Sequence, residues 1–184
     1  MRHLVAALTL FLSSYSYAEF YVGGNAGVYL YDEEVDIAGF QDIEFRDYAL
    51  GVHGGYMYRD WIGAEITYLN FLEGGETLGD NDVILRAKGE SVSLALRPAW
   101  RISQDFELFA KLGVAFWDAK LRYSVPALSL VDEKADDDGS DFTWGAGGRW
   151  WGGDHWSLAL EFSRIEADTE VQFDTVTFNA AYHF

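Results

Sequence analysis

Five ionisable residues interrupt segments in which apolar residues otherwise alternate with small or polar ones. They carry both signs of charge and lie far apart along the chain: Glu65, Arg97, Lys111, Arg149 and Glu161. Buried charges are tolerated only when they pair. We expect Glu65 to pair with Arg97, and Arg149 to pair with Glu161. Such a cluster predicts either a gate of opposite charges across a narrow interior or a static polar plug that fixes the packing around it.

The histidines predict no nucleophilic chemistry. A catalytic histidine must lie within hydrogen-bond reach of the nucleophile that it activates. His3 belongs to the N-terminal segment and His155 falls in a short turn. His53 and His183 occupy positions that we expect to face inward, away from a substrate. The sequence therefore argues against an enzyme.

The acidic run of residues 136–141 has a partial likeness to a calcium-binding loop. Asp136, Asp138 and Asp141 supply carboxylates at short spacing. A calcium loop also needs a glutamate six residues after its glycine, and Gly139 has no such partner. We expect a solvated acidic loop tip here, with weak binding of divalent cations as the alternative, and we expect no cofactor.

Composition excludes several classes of protein. The 184 residues include 13 Lys and Arg against 30 Asp and Glu, which gives a formal net charge of −17. A nucleic-acid binder needs clustered cations, so this balance argues against one. Hydrophobic residues make up 49% of the chain, which is too many for a disordered acidic tail. The absence of cysteine excludes a disulfide scaffold and a thiolate metal site.

The N-terminal segment has the order of a secretory signal peptide. A basic start at Arg2 precedes the apolar stretch Leu4–Leu12, and small residues lead up to Ala18. We expect cleavage after Ala18, which makes residues 1–18 the signal peptide. The apolar stretch is too short for a helix that spans a membrane, which needs about 20 residues. Residues 19–184 would then form one exported domain.

The rest of the chain repeats its hydrophobicity every second residue, which indicates β-strands rather than helices. Short turns join the second strand to the third, the fourth to the fifth and the sixth to the seventh, and longer polar segments join the others. This alternation of connections predicts an all-β, eight-stranded antiparallel up-and-down transmembrane β-barrel. The eight segments are residues 20–31, 45–58, 61–71, 91–102, 106–117, 142–151, 156–163 and 175–184.

The two faces of these strands decide between a soluble and a membrane barrel. One face is bulky and uncharged, whereas the other is rich in Ser, Ala, Gly and Thr and carries Arg97, Lys111 and Glu161. Eight strands leave little interior room, so the small face must point inward. The bulky face must then point outward. In water that coat would be one large exposed apolar patch, whereas a lipid bilayer requires it.

Aromatic residues gather beside the short turns and at the C-terminus. These positions lie at one rim of the predicted barrel, where amphipathic rings favour the boundary between membrane and water. We therefore expect an interfacial aromatic girdle, made of Tyr56, Tyr58, Trp61, Trp100, Phe106, Trp150, Trp156 and Phe184.

The ordered set of segments resembles the OmpA-type eight-stranded outer-membrane barrels of Gram-negative bacteria. The likeness is carried by FYVGGNAG at 20–27, IGAEITY at 62–68 and FELFAKLGVAFWDA at 106–119. The ending Tyr182-His183-Phe184 resembles the aromatic signal that such barrels present to the outer-membrane assembly machinery. The family typically has an inward Glu on strand 6 and an inward Arg on strand 7. Here strand 6 carries Arg149 and strand 7 carries Glu161, so the charges look exchanged.

The resemblance implies a multi-pass protein of the cell outer membrane with a structural or surface-interaction role, such as envelope integrity or adhesion. A narrow gated pore for small solutes or ions is the first alternative, and a lipid-modifying enzyme is the second. Expected partners are outer-membrane lipids and lipopolysaccharide, the assembly machinery and an extracellular ligand, but no nucleic acid. The ligand would meet four long connections, residues 32–47, 70–90, 118–141 and 164–174, with net charges of −6, −3, −4 and −3.

Overall fold

The computed structural model describes residues 19–33, 43–78, 83–125, 130–166 and 171–184. Residues 1–18 and the expected cleavage site lie outside this part of the chain. The described residues form eight strands and the short turns between them. The strands are β1 (Glu19–Glu33), β2 (Ile43–Arg59), β3 (Ile62–Leu78), β4 (Val83–Arg101), β5 (Phe106–Val125), β6 (Leu130–Trp151), β7 (Trp156–Glu166) and β8 (Val171–His183).

Each strand pairs antiparallel with its neighbours in sequence, and β8 pairs with β1, so the sheet closes into a barrel. The predicted eight-stranded up-and-down barrel is confirmed. In the described ranges, no helix is long and apolar enough to cross a membrane.

The pairing register tilts the strands against the barrel axis. Paired residues followed once around the barrel from Tyr21, through Glu65 and Ile165, return to β1 at Tyr31, ten residues further along. A displacement of this size requires strongly inclined strands. Side chains at one height therefore come from different positions on successive strands, which decides which charges meet inside.

The strands alternate in exposure as the sequence predicts. On β4, Leu94 and Leu96 are 59% and 61% exposed, whereas Ala95 and Arg97 between and beside them are 6% and 0% exposed. The outward face carries large apolar side chains on every strand. The inward face carries the small, polar and charged side chains together with several aromatic rings. The structure therefore confirms the predicted orientation of the strands, with the bulky apolar face outward.

The strands are longer than their apolar segments predict. The sequence predicts a polar loop over residues 118–141. In the structure most of this segment is strand, because β5 continues to Val125 and β6 begins at Leu130. Beyond the apolar belt both faces of a strand are free to be polar, so alternating hydrophobicity no longer marks it. The loop-tip placement of Asp136, Asp138 and Asp141 is wrong, because all three lie within β6.

Candidate functional site

Lys111 on β5 reaches across the barrel interior to carboxylates of two other strands. Its Nζ lies 2.7 and 2.8 Å from the two oxygens of Glu161 on β7, and it also contacts the carboxylate of Glu65 on β3. β6 runs between β5 and β7, but it places Gly145 opposite Lys111 and Gly147 opposite Glu161. The intervening strand therefore has no side chain at these two positions, and the ring of Phe109 packs over Gly147.

Arg97 contacts Glu65 as well and adds a third carboxylate, that of Glu107. Its side chain is fully buried, with Nη2 donating to Glu107 at 2.7 Å and Nε lying 3.8 Å from an oxygen of Glu65. The guanidinium carbon lies 4.3 Å from the ring centroid of Phe109, where the ring face attracts a cation. Arg97 is therefore held between the carboxylates of neighbouring strands and an aromatic surface.

Arg149 completes the group. Its Nη1 lies 4.0 Å from Glu107, and its guanidinium carbon lies 4.9 Å from the ring centroid of Tyr21. Glu161, its expected partner, instead binds Lys111, so the predicted pair of Arg149 with Glu161 is wrong. Glu161 pairs in register with Gly147, two residues nearer the outer end of β6 than Arg149, and this offset carries its carboxylate toward Lys111.

The structure brings all five predicted ionisable residues into the interior and adds a sixth, Glu107. We call these six residues the ion cluster: three acids, Glu65, Glu107 and Glu161, and three bases, Arg97, Lys111 and Arg149. Equal numbers of opposite charges make the burial of all six tolerable. Glu107 could have been found from the sequence, because it shares the inward face of β5 with Lys111.

Neutral side chains add hydrogen bonds to carboxylates that the bases already contact. The hydroxyl of Tyr21 donates to Glu65 at 2.5 Å, and that of Thr67 donates to the same carboxylate at 3.1 Å. The amide of Asn179 donates to Glu161 at 2.9 Å. Charges with this many partners are held in one arrangement, as a static plug requires.

A second closure lies nearer the outer end of the strands. Phe71 and Phe173 stack with their ring centroids 6.1 Å apart, Tyr29 packs on Phe71 at 5.0 Å and Trp117 packs on Phe173 at 5.5 Å. We call these four residues the aromatic layer. Between it and the ion cluster lies a cavity of about 30 Å³ whose lining mixes apolar surface with hydroxyl groups and the amide of Asn25. That volume holds one or two water molecules but no solute.

His183 contacts both a serine and a carboxylate near the short-turn end. Its Nε2 lies 2.7 Å from the Oγ of Ser157, and its Nδ1 contacts the carboxylate of Glu19. The prediction that no histidine lies within hydrogen-bond reach of a nucleophile is therefore wrong. Ser157 is only 2% exposed, and the ring of Trp151 covers His183 at 4.4 Å between centroids. The serine is sealed from any substrate, and the three residues tie β1, β7 and β8 together.

We expect His183→Ala to destabilise the folded barrel by about 1–2 kcal/mol, because it removes two buried hydrogen bonds that join β8 to β1 and β7. The measurement is the urea midpoint of the refolded protein in lipid vesicles. His155→Ala is the control, since the exposed side chain of His155 makes a single hydrogen bond, from Nδ1 to the carbonyl oxygen of His183 at 3.1 Å, and stacks on the ring of Tyr182. Equal midpoints for the two variants would contradict a joining role for His183.

The candidate metal ligands do not converge. Among the described residues, no group of three or more His, Asp and Glu side chains could hold a metal ion. Asp141 instead accepts a hydrogen bond from the indole of Trp117 at 2.7 Å. Asp136 and Asp138 are exposed on β6.

Comparison with known proteins agrees with this architecture. The family model described as "outer membrane protein beta-barrel domain" matches residues 4–184, nearly the whole chain. The chain belongs to this family. It is therefore an outer-membrane β-barrel protein, and the predicted location in the cell outer membrane is confirmed. No protein of curated function matches the sequence.

Solved structures share the fold of this outer-membrane barrel at low sequence identity. Ail, the attachment invasion locus protein of Yersinia pestis, in complex with the heparin analogue sucrose octasulfate, is 14% identical, with 90% of this chain and 99% of that chain covered and a TM-score of 0.61. OprG from Pseudomonas aeruginosa is 16% identical, with 91% and 96% covered and a TM-score of 0.59. Neisserial surface protein A is 12% identical, with 90% and 97% covered and a TM-score of 0.57.

In this outer-membrane barrel the short turns face the periplasm and the long strand ends face outward. Trp61, Trp100, Trp150 and Trp156 lie beside the short turns and are 52–58% exposed, and Tyr56 and Phe106 are each 39% exposed. Tyr58, also predicted for the girdle, is less exposed than these and is partly buried. At the C-terminus, the ring of Tyr182 packs edge-on against that of Phe184 at 5.1 Å.

Proposed function

We propose that the protein is a non-conducting barrel that acts through its outer surface, in envelope integrity or adhesion, and that it is not an enzyme. The observation that carries this proposal is the double closure of the interior. The ion cluster and the aromatic layer occupy successive levels of the same lumen, and the cavity between them holds water at most. The surfaces available for binding a partner are therefore the outer wall and the outer strand ends.

The negative charge of the outer strand ends favours a positively charged extracellular ligand. The four segments that contain these ends carry most of the net charge of −17. Electrostatic complementarity then favours a positively charged protein or peptide as extracellular ligand. Ail is structurally similar and was solved with a polyanionic heparin analogue. The acidity of this chain favours the opposite charge in its own ligand.

Two further roles belong to the same proposal. Residues 1–18 direct export and are removed, and Tyr182 and Phe184 present the terminal aromatic signal to the assembly machinery. Phe184 is 70% exposed, so its ring is not part of the packed interior.

A narrow gated pore is the competing function, and conductance in planar bilayers separates the two. We expect no discrete openings from the purified protein. We also expect none from Phe71→Ala, because the ion cluster still blocks the lumen below the opened aromatic layer. The positive control is a general porin in the same bilayer. Reproducible openings that Glu65→Ala or Arg97→Ala abolishes would establish the pore and overturn the proposal.

Binding by the outer ends is tested on immobilised protein in nanodiscs. We expect a cationic polypeptide such as polylysine to bind, and heparin not to bind at these ends. The binding should weaken steeply between 50 and 500 mM salt, because exposed charges are screened over about 10 Å at 0.1 M. Salt-insensitive binding, or a preference for heparin, would contradict an acidic recognition surface.

A further inference from the structure

The guanidinium group of Arg149 is buried without the hydrogen bonds that a buried cation needs. Its Nε has no hydrogen-bond partner among the described residues. Its ion-pair contact with Glu107 spans 4.0 Å, which is too long for a hydrogen bond. Buried polar groups in folded proteins are paired with the chain, with water or with a bound ion. The unpaired donor of Arg149 therefore points to a ligand from outside the chain.

The carboxylates of the ion cluster are shared unequally among its three bases. Lys111 binds two of the three acids. The third, Glu107, accepts a hydrogen bond from Arg97 at 2.7 Å. The six charges balance as a whole, but Arg149, at the periplasmic side of the cluster, is left with only the longer contact to Glu107. The local balance around Arg149 is therefore positive.

A second buried donor without a partner lies beside Arg149. Trp151 stands two residues nearer the periplasmic end of β6, and side chains two residues apart on a strand share a face. Its indole Nε1 has no hydrogen-bond partner in the part of the chain that the structure describes. The guanidinium carbon of Arg149 lies 5.8 Å from the centroid of the Trp151 ring. Two unpaired N–H donors are therefore close together inside the barrel.

A further cation borders the same indole ring. The guanidinium carbon of Arg101, on β4, lies 5.0 Å from the centroid of Trp151. Two guanidinium groups around one ring repel each other, and an anion between them removes this repulsion. The carboxylate of Glu19 at this end of the barrel contacts His183. Arg101 is exposed, so its long side chain can turn to admit an ion from the periplasm.

The surroundings of Arg149 favour a small monovalent anion. The ring centroids of Tyr21 and Phe109 lie 4.9 and 5.7 Å from its guanidinium carbon. These rings exclude water, and opposite charges attract more strongly in such low-dielectric surroundings. The unpaired donors belong to one cation and one neutral indole, so a single negative charge balances them. Both donor atoms are buried, which favours a monatomic ion over a bulky oxyanion.

We propose that a chloride ion binds at the periplasmic end of the lumen. The guanidinium of Arg149 and the indole N–H of Trp151 hold the ion, and Arg101 closes the site toward the periplasm. The ion supplies Arg149 with the negative charge that the ion cluster gives to the other two bases. This inference goes beyond the proposed function and does not depend on it. Discrete openings in the bilayer experiment would remove the non-conducting role and leave the chloride site untouched.

The test measures the urea midpoint of the refolded barrel in lipid vesicles as chloride replaces gluconate at fixed ionic strength. We expect the midpoint to rise and then level off, as for a ligand that binds only the folded state. Trp151→Phe keeps a ring over His183 but removes one of the two N–H donors. It should raise the chloride concentration for half-saturation about tenfold, the effect of one hydrogen bond to a charged group.

Trp150→Phe is the matched control, because Trp150 is the neighbouring residue on the outward face of β6 and is 52% exposed. It should keep the chloride dependence of the parent. Crystals of the barrel grown with bromide give a direct measurement. We expect an anomalous peak within hydrogen-bond distance of Arg149 and Trp151 in the parent and in Trp150→Phe. Heat-modifiable gel mobility verifies that both variants fold.

Three outcomes would overturn the inference. Equal chloride dependence of Trp151→Phe and Trp150→Phe would mean that chloride acts elsewhere on the barrel. A parent without chloride dependence and without a bromide peak would assign the two donors to water only. A midpoint that responds to lower concentrations of phosphate than of chloride would assign the site to an oxyanion.

Discussion

Replacing Lys111 by alanine is expected to destabilise the barrel by about 3–5 kcal/mol, the usual cost of leaving buried charges without their partner. The ammonium neutralises both Glu161 and Glu65, and the side chains of all three residues are at most 10% exposed. Without it, Glu161 keeps only the amide of Asn179 among the contacts described above, and the interior becomes net negative. Urea unfolding in lipid vesicles, followed by tryptophan fluorescence, gives the free energy.

The control for this experiment removes one charge of each sign. Lys111→Met/Glu161→Gln keeps the interior neutral and nearly preserves side-chain volume, so most of the lost stability should return. If the double variant were as unstable as Lys111→Ala, packing rather than charge balance would be the contribution of Lys111. A loss below about 1 kcal/mol in Lys111→Ala would show that water reaches the ion cluster freely.

Gly113→Ala is expected to cost about 3 kcal/mol, the upper range for an overfilled interior. Gly113 lies on the inward face of β5 where β4 approaches closely. An added Cβ there would stand 2.1 Å from the carbonyl oxygen of Leu94 and 2.6 Å from the Cα of Ala95. Backbone atoms cannot move aside without separating the two strands. The same unfolding measurement reports the effect.

Gly54→Ala is the matched control for the glycine experiment. Gly54 also lies within a strand, but an added Cβ would meet its nearest atom at 3.6 Å, which is ordinary contact. We expect a change below about 0.5 kcal/mol, as for other surface substitutions. Similar losses at both positions would mean that β-propensity, and not the close approach of β4, determines the cost at Gly113.

Fold and orientation were predictable because they depend on local alternation. Segment 106–117 alone shows one uncharged apolar face, whereas its other face carries Glu107 and Lys111 beside Gly113. A bilayer requires the uncharged face to point outward. The register was not predictable in the same way. It follows from pairing around the whole ring, and the return from Tyr21 to Tyr31 becomes visible only when all eight strands are aligned.

The ion pairs show where sequence reasoning ends. Glu65 and Arg97 lie on adjacent strands and come within 3.8 Å, as their spacing predicts. Glu161 instead contacts Lys111 across β6. The residues of β6 opposite these two side chains are glycines, Gly145 and Gly147, so no side chain separates them. An assignment limited to neighbouring strands cannot find this contact. His183 was missed for a different reason, since Glu19 and Ser157 lie on the two strands beside β8 and its contacts with them depend on the register of the closed barrel.

The unequal strand lengths give the barrel a high side and a low side above the bilayer. β5 and β6 have 20 and 22 residues, whereas β7 and β8 have 11 and 13. A crowded layer of surface glycans would shield the short flank and leave the tall hairpin standing nearest to other cells. Antibodies and phages should therefore reach one flank of the molecule before the other.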